Sequence, residues 1–168
     1  MKNLTFITII VLVLGVTMLY AGNTNFSGIW NLDQEKSEMG QGGRMGMAAL
    51  KLTITQDEKQ ISIDRFTSSE YRGDVTTTDK VTLDGKETVN STDFGDRKLT
   101  ATFSEDGKSF TIKSDMEMIR GDQTFQINTT EIWTLNEDGT VLKIDQTRTS
   151  SRGERQSVLY YNKEKVQK

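Results

Sequence analysis

Residues 99–112 read LTATFSEDGKSFTI, with apolar Leu99, Ala101 and Phe103 at alternate positions, then Asp106-Gly107, then Phe110 and Ile112 alternating again. Successive side chains of an extended chain point to opposite faces, so this spacing gives a strand with one buried and one wet side. An Asp-Gly pair supplies the backbone freedom that a tight reversal needs. The stretch therefore reads as two antiparallel strands joined by a hairpin turn.

The same pattern extends outward in both directions. Leu50-Leu52-Ile54, Ile61-Ile63 and Leu142-Ile144 alternate in the same way, and Asp84-Gly85 and Asp138-Gly139 mark two more hairpin turns. Arg120-Gly121 and Arg152-Gly153 mark another two. Strands are expected near residues 27–33, 48–56, 60–67, 75–83, 87–93, 97–104, 109–119, 124–135, 140–149 and 154–162. Short strands with local connections suit either an all-β, antiparallel up-and-down barrel of about 8–10 strands or a β-sandwich. The barrel is the better reading, because closure removes exposed edges and the chain has no proline with which to blunt them. The Asp-Gly turns lack the neighbouring acidic and amide ligands of a calcium loop and are read as plain turns.

The first 22 residues stand apart. Lys2, an apolar run from Leu4 to Leu19 and the small pair Ala21-Gly22 have the make-up of a signal peptide cleaved near residue 22. An uncleaved anchor is the rival, but Thr5, Thr8, Gly15 and Thr17 dilute the run and no basic flank follows it. The expectation is a signal peptide over 1–22, a single domain over 23–168, a secreted or periplasmic location, and no stable membrane insertion after cleavage. Lys2 is the only charge before Asp33, so its removal leaves 20 basic against 24 acidic residues, a net charge of −4. That balance offers no concentrated basic face for nucleic acid.

The chain contains no histidine and no cysteine. Disulfides, thiolate nucleophiles, zinc-thiolate sites and serine–histidine or cysteine–histidine hydrolysis are therefore excluded, and no metal or cofactor is expected. An enzyme would have to work from carboxylates, and Glu131 with Asp79 is the one acidic pair that strand register places on an inner face. Register alone supports that pair, so the expectation is a protein without catalytic residues.

One segment breaks the strand pattern. Residues 38–48 hold four glycines and three methionines, including Met45 and Met47. Glycine resists regular structure, while methionine supplies adaptable apolar surface. The segment reads either as a portal over an apolar cavity or as a loose connection whose methionines plug one end of the core. The second is the plainer reading.

Phe26-Ser-Gly28-Ile-Trp30-Asn-Leu32, continuing to Ser37, resembles the first-strand Gly-x-Trp signature of lipocalin-like (calycin-type) barrels, especially small exported bacterial ones. Trp133-Thr-Leu135, Glu137-Asp-Gly139 and Arg152-Gly-Glu154 are similar to the later blocks of those proteins. The resemblance implies a ligand-binding barrel in which Trp30 packs across the closed end, Gly28 allows close approach, and an arginine from near the last strand covers the ring. Arg148, Arg152 and Arg155 compete for that place. The paired cysteines common in secreted lipocalins and the Arg-x-Tyr pair of fatty-acid-binding proteins are missing, which leaves the ligand class open.

Following the apolar register along each strand brings polar residues onto the inner face. Arg65 follows Ile61 and Ile63, Arg97 precedes Leu99, Glu131 precedes Trp133, and Gln146 and Arg148 follow Ile144. A guanidinium shut away from water needs an anion beside it. Glu131 can supply one internally, or an acidic headgroup can. Two functions follow. One is non-catalytic binding of a small apolar or amphipathic ligand, possible anions included, through Arg65, Arg97, Arg148, Glu131, Gln146, Met45 and Met47, with Leu52, Ile63, Phe103 and Ile144 around its tail. The other is a surface or matrix interaction module with a filled core. The volume left inside the barrel separates them.

Overall fold

The computed structural model of the chain describes residues 22–40, 48–70, 73–92, 95–120 and 123–165. The predicted signal peptide up to residue 21, and Met45 and Met47, lie outside them.

Eleven strands account for the described fold, and among the described residues there is no helix. They are β1 (Gly28–Leu32), β2 (Glu38–Met39), β3 (Lys51–Gln56), β4 (Gln60–Ser69), β5 (Gly73–Thr82), β6 (Thr88–Thr92), β7 (Gly95–Phe103), β8 (Ser109–Arg120), β9 (Gln123–Leu135), β10 (Val141–Ser150) and β11 (Gly153–Lys163). Ten follow the order β5-β4-β3-β1-β11-β10-β9-β8-β7-β6, each antiparallel to its neighbours. The architecture is an antiparallel, nearly closed β-barrel rather than a sandwich. The short β2, which strand periodicity misses, pairs with β11 through Met39 and Ser157. Gly40 follows it because a Cβ there would sit 1.9 Å from the backbone oxygen of Gln156.

The barrel closes without a backbone ladder. The Asp84-Gly85 pair predicts a hairpin, yet β5 and β6 are the two ends of the sheet order. The Asn90 side chain spans the seam instead, accepting from the Lys80 amide at 2.9 Å and donating to the Lys80 carbonyl at 2.8 Å. One amide side chain thus copies the donor–acceptor pair that a neighbouring strand would present. The Asp106-Gly107 and Asp138-Gly139 turns do join hydrogen-bonded neighbours, with φ of 68° and 67° at their glycines.

The lower half of the barrel is solid. Leu52, Ile61, Ile63, Val81, Leu99, Phe110, Trp133, Leu142, Ile144 and Tyr161 are buried in one cluster with Trp30. Phe26, just before β1, plugs this end against Phe110 and Trp133, at centroid distances of 5.9 and 5.8 Å. Gln56 holds the plug, accepting from the Phe26 amide and donating to the Thr24 carbonyl, both at 3.0 Å. Trp30 is fully buried and its indole N–H donates to the Phe26 carbonyl at 2.9 Å. The cation over its ring is Lys163, 5.0 Å from the centroid, so none of the three competing arginines covers it. Gly28, at φ 147°, brings its backbone under the same lysine, where a Cβ would stand 2.8 Å from the Lys163 side chain.

Candidate functional site

Above this apolar half, the inner face turns polar on nearly every strand at once. Arg65 on β4 donates from Nε to Asp79 on β5 at 3.0 Å and from Nη2 to Glu131 on β9 at 2.8 Å. Arg97 on β7 meets both Asp79 oxygens at 2.8 Å and Ser114 on β8 at 3.2 Å. Glu131 further accepts from Trp133 Nε1 at 2.9 Å and from Gln146 on β10 at 3.0 Å. Ser157 on β11 extends the chain to Gln146 at 3.4 Å. Seven strands contribute to one continuous layer, and its two cations balance its two anions. Among the described residues, no buried side-chain polar atom lacks a partner.

Electrostatics favour the charged forms of Arg65 and Glu131. Burial by itself would push the Glu131 carboxyl upward, but the Arg65 charge and the hydrogen bonds to Arg65 and Trp133 outweigh it, so the group is held below its usual range. Burial would likewise weaken the Arg65 cation, and Glu131 and Asp79 more than offset that loss. Tyr161, beneath, is pushed upward mainly by burial, and its hydroxyl donates to the Ala49 carbonyl at 3.0 Å.

The structure thus brings Arg65, Arg97, Glu131 and Gln146 together, and gives the two arginines internal carboxylates. The side chains expected around an apolar tail do not enclose a separate chamber. Leu52, Ile63 and Ile144 belong to the core cluster, and Phe103 packs against it, below the charged layer. The Glu131–Asp79 pair does not have the arrangement of an acid and a base across a cleft. Both carboxylates are locked to Arg65, and a general acid needs its proton affinity raised, which Glu131 does not have.

Arg148 is separate from this layer. It lies one step higher on the inner face of β10, directly opposite Arg155 of β11. Both are half-buried, and among the described residues neither is ion-paired. Burial, then the Arg155 charge, then that of Arg97, disfavour its own charge. Around the same open end, continuous β8–β9 register carries Met116 opposite Ile127 and Met118 opposite Phe125 on the inner face. All four are half-buried, and Met39 of β2 packs partly against the core. Sequence reasoning missed this rim. Carrying the Phe110-Ile112-Ser114 and Glu131-Trp133 registers to the far ends of their strands would have found it, as would pairing Arg148 with Arg155.

The open end thus has a charge-neutral floor, half-buried apolar side chains on β8 and β9, and two cations on β10 and β11 that have no ion pair among the described residues. Two depressions, of about 410 and 250 Å³, lie elsewhere. The first is lined by Asn23, Asn25, Gln56, Asp57, Glu58 and Leu83 near the plugged end, and the second is set among polar side chains of β7, β8 and β9. Their linings do not suit an apolar ligand.

Comparison of the sequence with protein families gives no match, and comparison with curated proteins gives none. Among solved structures, the chain is similar to the zebrafish ileal bile acid-binding protein complexed with cholic acid, with 13% identity and a TM-score of 0.43 over 83% of this chain and 98% of that one.

Proposed function

We propose that the protein is an exported, non-catalytic carrier that binds a small amphipathic anion in the open mouth of its barrel. One observation supports this above all. Half-exposed Met116, Met118, Phe125 and Ile127 share the inner face with Arg148 and Arg155, a pairing of apolar wall and free cation found nowhere in the solid lower half. Partly exposed apolar side chains gathered in one patch mark an interaction site more often than a structural one. The solid core favours the alternative, an interaction module, only for a ligand that would have to enter the barrel's depth.

Export rests on the N-terminal sequence. The plug fits it, since Thr24 is already hydrogen-bonded to Gly107 and cleavage near residue 22 leaves those contacts whole. N-terminal sequencing of protein recovered from outside the cytoplasm tests this, and retention of Met1 would argue for an anchor. Binding is tested by titrating the domain with a fluorescent amphiphile below its micellar concentration. Saturable binding that Met116→Asp or Phe125→Asp abolishes supports the mouth. Binding by no amphiphile would leave the interaction module as the better reading.

A further inference from the structure

The charge pattern of the mouth says which headgroup it suits. Arg148 and Arg155 are partners in the β10–β11 ladder, with side chains on one face. Their same-face neighbours in register are Gln146, Ser150, Thr129, Ser157 and Gly153, none of them acidic. The nearest carboxylates along the chain face outward. Asp145 pairs with Lys143 at 2.9 Å, and Glu154 accepts from Gln156 at 3.1 Å. Below, the Arg65–Asp79–Arg97–Glu131 layer is internally neutral and fully bonded, so it has no charge left to lend. The described inner face of the mouth therefore carries two adjacent positive charges and no described negative one.

Two guanidiniums on opposed residues repel one another, and a half-buried site screens that repulsion less than open water does. A carboxylate neutralises one of them and leaves the other uncompensated. A headgroup with two negative charges and three oxygens neutralises both, and each planar guanidinium can meet it with two parallel hydrogen bonds. Resting on the binding reading above, we infer that the mouth selects amphiphiles with a doubly charged headgroup, of the phosphate monoester class, over fatty-acid carboxylates. The headgroup sits between Arg148 and Arg155, and the chain lies along Met116, Ile127, Met118 and Phe125.

Calorimetric titration of the mature domain at pH 7.5 with dodecyl phosphate, dodecanoate, dodecanol and inorganic phosphate, all below micellar concentrations, tests this. Dodecyl phosphate is expected to bind at least about tenfold more tightly than dodecanoate, as one further charged contact would give. Arg148→Gln and Arg155→Gln should each remove most of that preference while leaving dodecanol unchanged. Neither arginine is bonded to the layer below, so both variants should keep the cooperative urea transition of the parent, and one that loses it is replaced by the Met substitution, which also removes the charge. Equal affinity for phosphate and carboxylate amphiphiles overturns the headgroup inference but leaves the binding reading standing. Failure of all three amphiphiles overturns both. Inorganic phosphate binding as tightly as dodecyl phosphate would show a plain anion site and overturn the role of the apolar wall.

Discussion

Replacing Arg65 by methionine would remove the central cation of the buried layer while keeping a side chain of similar reach. Two carboxylates lose a partner at once, Asp79 at 3.0 Å and Glu131 at 2.8 Å, with the three side chains only 14%, 5% and 5% exposed. Breaking a buried ion pair from one side costs roughly 3–5 kcal/mol, because the remaining charge stays desolvated. Asp79 keeps Arg97, and Glu131 keeps Trp133 and Gln146, which places the loss near the lower end, about 3 kcal/mol. In a domain of this size that lowers the melting temperature by roughly 6–12 °C. The effect should depend on pH in a defined direction. In the parent the folded Glu131 carboxyl lies below its ordinary 4.5, so its contribution is present above that value and fades as pH falls through the folded one. In Arg65→Met the burial that Arg65 had outweighed is opposed only by the Trp133 bond and the Arg97 charge, and it drives Glu131 upward relative to the parent. The penalty is then full at neutral pH and shrinks as acid protonates the group. Urea unfolding at pH 7.5 and 5.0 measures both effects, and adding Glu131→Gln to the variant should restore at least half of the loss at pH 7.5. A loss below about 1 kcal/mol, or one equal at both pH values, would refute the account of the layer as a mutually dependent set of buried charges.

Trp30→Ala should cost about 3–5 kcal/mol in urea unfolding, the range for deleting a fully buried aromatic, and a loss under about 1 kcal/mol would make the closed end peripheral to stability. Asn90→Ala removes the two bonds to Lys80 across the β5–β6 seam, leaves the longer Thr82–Thr88 contacts at 3.4 and 3.5 Å, and should cost about 1–2 kcal/mol, with faster hydrogen exchange at the Lys80 amide. Unchanged protection at Lys80 would mean the seam is held by something else.

Much of the barrel was legible because its signals are local. Alternation over a few residues marks a strand, and Asp-Gly marks a turn, as residues 99–112 show together. Burial of Trp30 was legible from the Gly-x-Trp resemblance, and the structure buries it fully. What escaped depends on geometry between strands distant in sequence. Periodicity cannot say that the strands flanking Asp84-Gly85 separate to become the two edges of the sheet, because the bonds that close it come from the side chains of Asn90 and Thr88. Lys163 over Trp30 escaped because a cation above a ring needs only proximity, and register brings Lys163 opposite Trp30. The inner-face placement of Arg65, Arg97 and Glu131 was legible from register, and so was Asp79. Their mutual pairing was not, since it depends on the strand order around the barrel. The weight placed on Arg65 and Arg97 as ligand contacts therefore passes to Arg148 and to Arg155, which had been considered only as a cover for Trp30.

The seven-strand polar layer also restricts how the sheet can be mispaired. Side chains along a strand alternate, so slipping β4 by a single residue against its neighbours would carry Arg65 to the outer surface. Asp79 would keep Arg97, but Glu131 would be left facing the interior without a cation. The same holds in reverse for a slip of β9, which would swing Glu131 out and leave Arg65 with half its partners. Apolar cores alone penalise such slips weakly here, because threonine and serine populate both faces of the upper strands and fit either side nearly as well. A slip of β4 or β9 therefore leaves a buried charge with fewer partners, and the native register is the arrangement in which the four charges meet.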